Sequence, residues 1–268
     1  MQSLIHIFMI LFMLACAAPV FAYEQPEQDD AAAARTGIEF QPRPGTYHYE
    51  IKWGKMRAAT GIITIKKEDD CYILSADQRT TPAIDRIYRV RYRGETRIKT
   101  GSLTPVSSII EREIKTKGKR QEASYEAETG VVNVVETRTK KNERPEKASY
   151  QIQSDTAVVD LFTAVFLARS FDWEAGESHN FEVFIGRKKY RVILDCIGKD
   201  TIKVMGEDLS VWVLSPGVRK YGELKEKPIY RKTRIYISAD EYKDIVKIKT
   251  RPGFIGTVKL ILVKYKEE

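Results

Sequence analysis

The stretch Val158–Trp173, VVDLFTAVFLARSFDW, decides how this chain is put together. Val158, Leu161, Phe162, Val165, Phe166 and Leu167 recur at steps of three and four, which places them on one broad apolar stripe of a helix. Asp155 or Thr156 can cap the start, Asp160 adds negative charge near it, and Arg169 lies toward the end where the helix dipole favours a cation. No other segment after the first two dozen residues reads as a helix, and strand patterns flank this one on both sides. A single apolar helix in a β-rich chain is expected to lie against the concave face of a curved sheet, or in its mouth.

Upstream of the helix the apolar period is two. Tyr47, Tyr49, Ile51 and Trp53 alternate with His48, Glu50 and Lys52, and Gly54-Lys55 turns the chain. Gly61, Ile63 and Ile65 share one face of a second strand, Glu68-Asp69-Asp70 turns again, and Cys71–Gln78 forms a third. In a fourth, Tyr88, Val90 and Tyr92 alternate with Arg89, Arg91 and Arg93. Four more strand patterns follow at 107–115, 121–125, 131–138 and 148–153. Downstream, strands are expected at 181–185, 190–197, 201–205, 209–214, 233–238, 245–250 and 257–265. Gly186-Arg187-Lys188 and Gly198-Lys199-Asp200 read as hairpin turns, and Pro216 to Pro228 as a polar loop. Consecutive hairpins on this scale predict an all-β, mainly antiparallel fold. It is a single coiled meander forming a barrel or half-barrel, with the one helix packed on its concave side. An outer-membrane barrel is excluded by Arg89, Arg91 and Arg93, because a lipid-facing surface must be apolar at every second position.

The chain has 268 residues and a formal net charge of +8, compatible with one domain and with anionic partners. Ile7 to Ala18 is an apolar run of signal-peptide length, and Val20-Phe21-Ala22 supplies small or tolerated groups for cleavage after Ala22. Met13-Leu14-Ala15-Cys16 also resembles an imperfect lipobox, so lipidation of Cys16 and an uncleaved anchor are the alternatives. The expected organisation is a signal peptide over 1–22, a flexible acidic and proline-containing linker over 23–44, and one barrel-like domain over 45–268. The expected location is the bacterial periplasm or beyond. Cys71 and Cys196 sit in strand-like runs, and the spacing leaves open whether they pair.

Catalytic and metal motifs are lacking. His48 and His179 lie far apart without a partner at metal spacing and read as solvated; there is no paired-cysteine zinc motif, nucleophile elbow or phosphate loop. No catalytic residue, metal or cofactor is expected. The aromatic face is more informative. Tyr47, Tyr49, Trp53, Tyr88 and Tyr92 are expected to line the inside of the sheet, facing Phe162, Phe166 and Arg169 of the helix. Buried tyrosine hydroxyls need partners, which suits a concavity better than a dry core, with plain core packing as the alternative. Basic clusters recur at Arg89, Arg91 and Arg93, at Lys115, Lys117, Lys119 and Arg120, and at Arg187, Lys188 and Lys189. Export weighs against nucleic acid and leaves room for peripheral membrane contact.

These residues also carry a resemblance. The opening Tyr-x-Tyr-x-Ile-x-Trp strand (Tyr47 to Trp53) is followed by a strand led by Gly61. Next come Asp160-Leu-Phe-Thr-Ala-Val-Phe-Leu-Ala-Arg169 before Gly176, then Ile237-Ser-Ala-Asp240 and Ile255-Gly256-Thr-Val-Lys-Leu260. Together they resemble the bacterial exported family called domain of unknown function 3108 over most of Gly45 to Tyr265. The resemblance implies an exported, mostly antiparallel β protein and supplies no reaction. The expected function is non-catalytic binding of an amphipathic or lipid-like envelope molecule in the aromatic concavity. A structural or assembly factor docking an envelope protein through its basic surface is the alternative, and a carboxylate-based hydrolase a third.

Overall fold

In the computed structural model the described residues are 40–153, 159–185, 188–220, 232–251 and 256–268. The readings that fall on 1–39 (the leader, Cys16 and most of the linker), on Asp155, Thr156 and Val158, on Gly186 and Arg187, on the 221–228 part of the polar loop and on Ile255 lie outside them. Fourteen strands form one antiparallel sheet: β1 Gly45–Trp53, β2 Met56–Glu68, β3 Cys71–Thr80, β4 Val90–Lys99, β5 Pro105–Ile114, β6 Lys117–Glu126, β7 Val131–Lys140, β8 Glu146–Gln153, β9 Ser178–Ile185, β10 Lys188–Val204, β11 Glu207–Lys220, β12 Arg234–Ser238, β13 Ile245–Thr250 and β14 Val258–Lys266. Among the described residues two helices interrupt them, α1 Pro82–Tyr88 and α2 Leu161–Ser170.

The spatial order is β8-β7-β6-β5-β4-β3-β2-β1-β14-β13-β12-β11-β10-β9. The first strand therefore sits in the middle, paired with the last, and the sheet grows outward along two arms to β8 and β9. Alternation sets the inner face: Tyr47, Tyr49 and Ile51 of β1 are buried, as are Val258, Leu260 and Leu262 of β14. A sheet this wide coils. Its edges are not joined by a ladder; instead Phe184 of β9 packs on Val132 and Val134 of β7. Val159, just before α2, bridges to Val183 of β9, and Phe184 N–H donates to its carbonyl at 2.9 Å.

α2 lies inside this curve. Its Phe162 ring is 6.5 Å from Tyr92 of β4, and its Phe166 ring is 5.8 Å from Tyr72 of β3. At Gly94 of β4 a Cβ would fall 2.4 Å from Phe162, so the helix can approach this strand only over a bare backbone. The helix is buried on nearly all sides, with Val165 and Ser170 half-buried, rather than along one stripe. It runs from Leu161 to Ser170, shorter than the apolar pattern suggested; Phe171 beyond its end is extended, and its start is set by Asp160 as the cap, whose Oδ1 accepts from Thr163 N–H at 2.7 Å.

Four further expectations are corrected. Tyr88 belongs to α1, which Pro82 initiates at a position where its missing N–H costs nothing, and not to a strand. Gly198-Lys199-Asp200 is not a turn. β10 runs through it with a bulge between Cys196 and Gly198, where glycine takes φ +140° and Ile197 is pushed out to 51% exposure. Pro216 to Lys220 continues β11 opposite β10 instead of forming a loop. His179 is stacked on Phe171 at 4.0 Å rather than simply solvated. Cys71 and Cys196 are buried free thiols.

Candidate binding cavity

The helix is pinned at both ends by the two charged residues of its motif. At the start, Asp160 Oδ2 accepts from Thr96 Oγ1 of β4 at 2.9 Å. Burial raises the pKa of this carboxyl, opposed by the bonds from Thr163, Thr96 and the Phe162 N–H. At the end, Arg169 donates from Nη2 to Asp244 Oδ1 at 2.6 Å and to the Tyr242 carbonyl at 2.9 Å, and from Nε to the Lys243 carbonyl at 2.9 Å. Arg169 and Asp244 are each 4% exposed at the side chain. One arm of the sheet holds the first turn of α2 and the other arm holds the last.

Asp244 is delivered by a built turn between β12 and β13. Ser238 Oγ donates to Asp240 Oδ1 at 2.7 Å, and the same oxygen accepts from Tyr242 N–H at 3.1 Å and Lys243 N–H at 3.0 Å. Asp244 N–H then donates to Ser238 Oγ at 2.8 Å. Asp244 also accepts from Arg43 Nη2 at 2.7 Å and from the Tyr47 hydroxyl at 3.0 Å. Arg43 stacks over the Tyr265 ring at 3.9 Å, and Phe40 lies 5.4 Å from the Arg169 guanidinium. Residues 40–44 thus form a strap across this end of the barrel.

Between α2 and the inner face is a cavity of about 70 Å³. Its walls are Tyr47 and Tyr49 of β1, Ile63 and Ile65 of β2, Leu74 of β3, Ile245 and Ile248 of β13 and Leu260 of β14, closed by Leu161, Phe162 and Val165 of α2. Arg169 and Asp244 form its polar end. Arg169 Nη1 takes part in none of the bonds above. Burial, then the neighbouring Asp244 charge, raises the pKa of both tyrosine hydroxyls and keeps them protonated. Tyr49 donates to the Ile245 carbonyl at 2.9 Å.

Of the residues expected to meet a ligand, Tyr47, Tyr49, Phe162 and Arg169 line this cavity. Tyr88, Tyr92 and Phe166 are buried in the surrounding core, and Trp53 packs on its margin. Asp244, Ile245, Ile248 and Leu260 were not anticipated. Ser238 and Asp240, which build the turn, fall in the Ile237–Asp240 motif, but nothing local in the sequence ties that turn to Arg169. The first basic cluster is neutralised, and the second in part. Arg89 pairs with Glu113 at 3.3 Å, Arg91 with Asp85 at 2.5 Å and Arg93 with Asp77 at 3.1 Å. Lys119 pairs with the buried Glu136 at 2.9 Å, while Arg120, its neighbour on the other face, pairs with Glu122 at 2.6 Å.

A single coiled antiparallel sheet wrapped around one pinned helix places this molecule among the β-barrel-like proteins. The chain belongs to the family described as protein of unknown function (DUF3108), whose profile matches residues 48–263. It is similar in fold to a β-barrel-like protein of domain of unknown function DUF1849 from Brucella abortus, at 13% identity and a TM-score of 0.56, covering 85% of this chain and 99% of that one. A second crystal structure, of a Parabacteroides distasonis protein provisionally termed a lipoprotein, aligns at 9% identity and a TM-score of 0.33 over 86% of this chain and 99% of that one. No curated protein matches the sequence. Among the described residues, no helix is long and apolar enough to cross a membrane.

Proposed function

We propose that this protein is a non-catalytic envelope protein that binds an amphipathic molecule, with a compact apolar portion in the cavity and an acceptor-bearing head at Arg169. The observation that carries this reading is the composition of the cavity wall: aliphatic and aromatic groups along its length, and at one end the Arg169–Asp244 pair, whose Arg169 Nη1 makes no hydrogen bond among the described residues. Its volume is about half that of an apolar cavity of roughly 150 Å³ that admits benzene. It therefore takes the end of a chain or a short branched group, not a whole membrane acyl chain.

Arg89, Arg91 and Arg93 supply little for docking an envelope protein, because each already has a carboxylate partner. Hydrolysis by Asp244 is poorly supported for the same reason: its oxygens are taken by Arg43, Arg169 and Tyr47.

The test is native mass spectrometry of protein purified from its host envelope, together with titration of octanoate and octyl phosphate. A co-purifying amphiphile, and saturable binding lost in Leu74→Phe, supports the reading. Absence of any adduct together with no binding of either probe to the parent protein ends it.

A further inference from the structure

The outer face of the sheet carries its charges in two ways. Over β2–β6, bases have acid partners: Arg93 with Asp77, Arg97 with Glu68 at 3.7 Å, and Arg120 with Glu122; even where the register sets Arg79 opposite Arg91, Asp77 and Asp85 pair with them. Over β12–β14 they meet one another. The register sets Lys52 of β1 opposite Lys259 of β14, Lys259 opposite Lys249 of β13, and Lys249 opposite Arg234 of β12. Lys247, two residues along β13, lies 4.9 Å from the Tyr236 ring. The residues that alternate with them, Val258, Leu260, Val246 and Ile248, point to the core and cavity, so these bases share the convex face.

Like charges placed directly opposite each other weaken a sheet, and little here offsets them. Glu50 serves Lys52 at 3.2 Å and Arg57 at 3.3 Å. Arg234 donates to Ser215 Oγ at 3.2 Å. Lys247, Lys249 and Lys259 make no ion pair among the described residues, and Asp200 acts on Lys247 only through its longer-range field. Partial burial, then the Lys259 and Lys249 charges, lowers the pKa of Lys247.

We infer that the convex face of β12–β14 docks on an anionic phospholipid surface. The ladder crosses four neighbouring strands, about 14 Å at ~4.8 Å per strand. It lies on the outward-curving side of the sheet, opposite the helix, a shape that meets an extended plane. Its members are mainly lysines, flexible point charges that can follow mobile head groups without the fixed fork geometry of arginine. Single-stranded nucleic acid calls instead for a groove with free aromatic platforms, and Tyr236 already has Lys247 over its ring.

The full chain is sedimented with vesicles of phosphatidylethanolamine containing about one quarter phosphatidylglycerol, and in parallel with phosphatidylcholine vesicles. The readout is the difference between the two, since an apolar leader would enter both. Partition into the anionic vesicles is expected to fall about tenfold or more between roughly 0.05 and 0.5 M salt. Lys247→Gln, Lys249→Gln and Lys259→Gln are each expected to weaken it about fivefold, and together about a hundredfold, with a melting temperature no lower than the parent's. Arg89→Gln with Arg93→Gln leaves it unchanged. Equal binding to both vesicle types, or a triple variant that binds like the parent, overturns the inference. So does retention on heparin without partition into anionic vesicles, which assigns the face to a polyanionic polymer.

Discussion

At the scale of single residues, the Arg169–Asp244 pair is the most exacting contact in the molecule. Both groups are almost wholly buried, and Asp244 depends on Arg169, Arg43 and Tyr47 to replace water. Removing one member strands the other, whereas removing both together need not. Arg169→Met is expected to cost about 3–5 kcal/mol in urea unfolding, and Arg169→Met with Asp244→Leu to recover most of that loss. An equal loss in the single and double variants would show that the charges do not act as a pair. Arg169 was legible as a residue of interest from its place in the helix. Asp244 was not, because its significance depends on a partner 75 positions away and no local period points to it.

At the scale of elements, α2 and the inward tyrosines of β1 were readable because burial imposes a period, and a period survives in the sequence. What failed was punctuation. Gly198-Lys199-Asp200 has turn chemistry, yet its glycine serves a bulge that lets β10 continue. α1 has seven residues, too few to show a stripe. Gly94 is the opposite case: it stands unmarked in a strand, and its meaning appears only when Phe162 is seen against it. Gly94→Ala must displace that ring or the helix. It is expected to lower stability by about 1–3 kcal/mol, as overpacked cores do, and to change binding of octanoate through the shifted cavity wall. A variant as stable as the parent, with an unchanged melting curve, would mean the contact has room to relax.

At the scale of the whole molecule, hairpin neighbours could be inferred from short turns; of fifteen expected strands, two merge into β10 and the other thirteen each match one strand of the antiparallel meander. Two features could not. The β1–β14 pairing joins residues at opposite ends of the sequence, such as Thr46 and Lys266, and no turn announces it. The open seam between β8 and β9 depends on how tightly the ribbon coils, a property of summed strand twist that no individual segment carries. The lysine ladder is of the same kind: each base looks solvated on its own strand, and only the register brings like charges together.

The central position of β1 has a consequence for how the chain could be rewired. Followed from β9 to β14 and on through β1 to β8, the ribbon is an uninterrupted up-and-down weave. Nature's ordering differs from that weave only in where the backbone is cut. A circular permutant that splices Glu268 to Phe40 and begins between β8 and α2 should therefore recover the parent's circular dichroism and melt in one cooperative step. Its folding should be quicker, because the slowest contact to find has become a neighbour. Refolding rates after a urea jump would reveal the difference, and a permutant that populates two separate transitions would show that the two arms need their original order to come together.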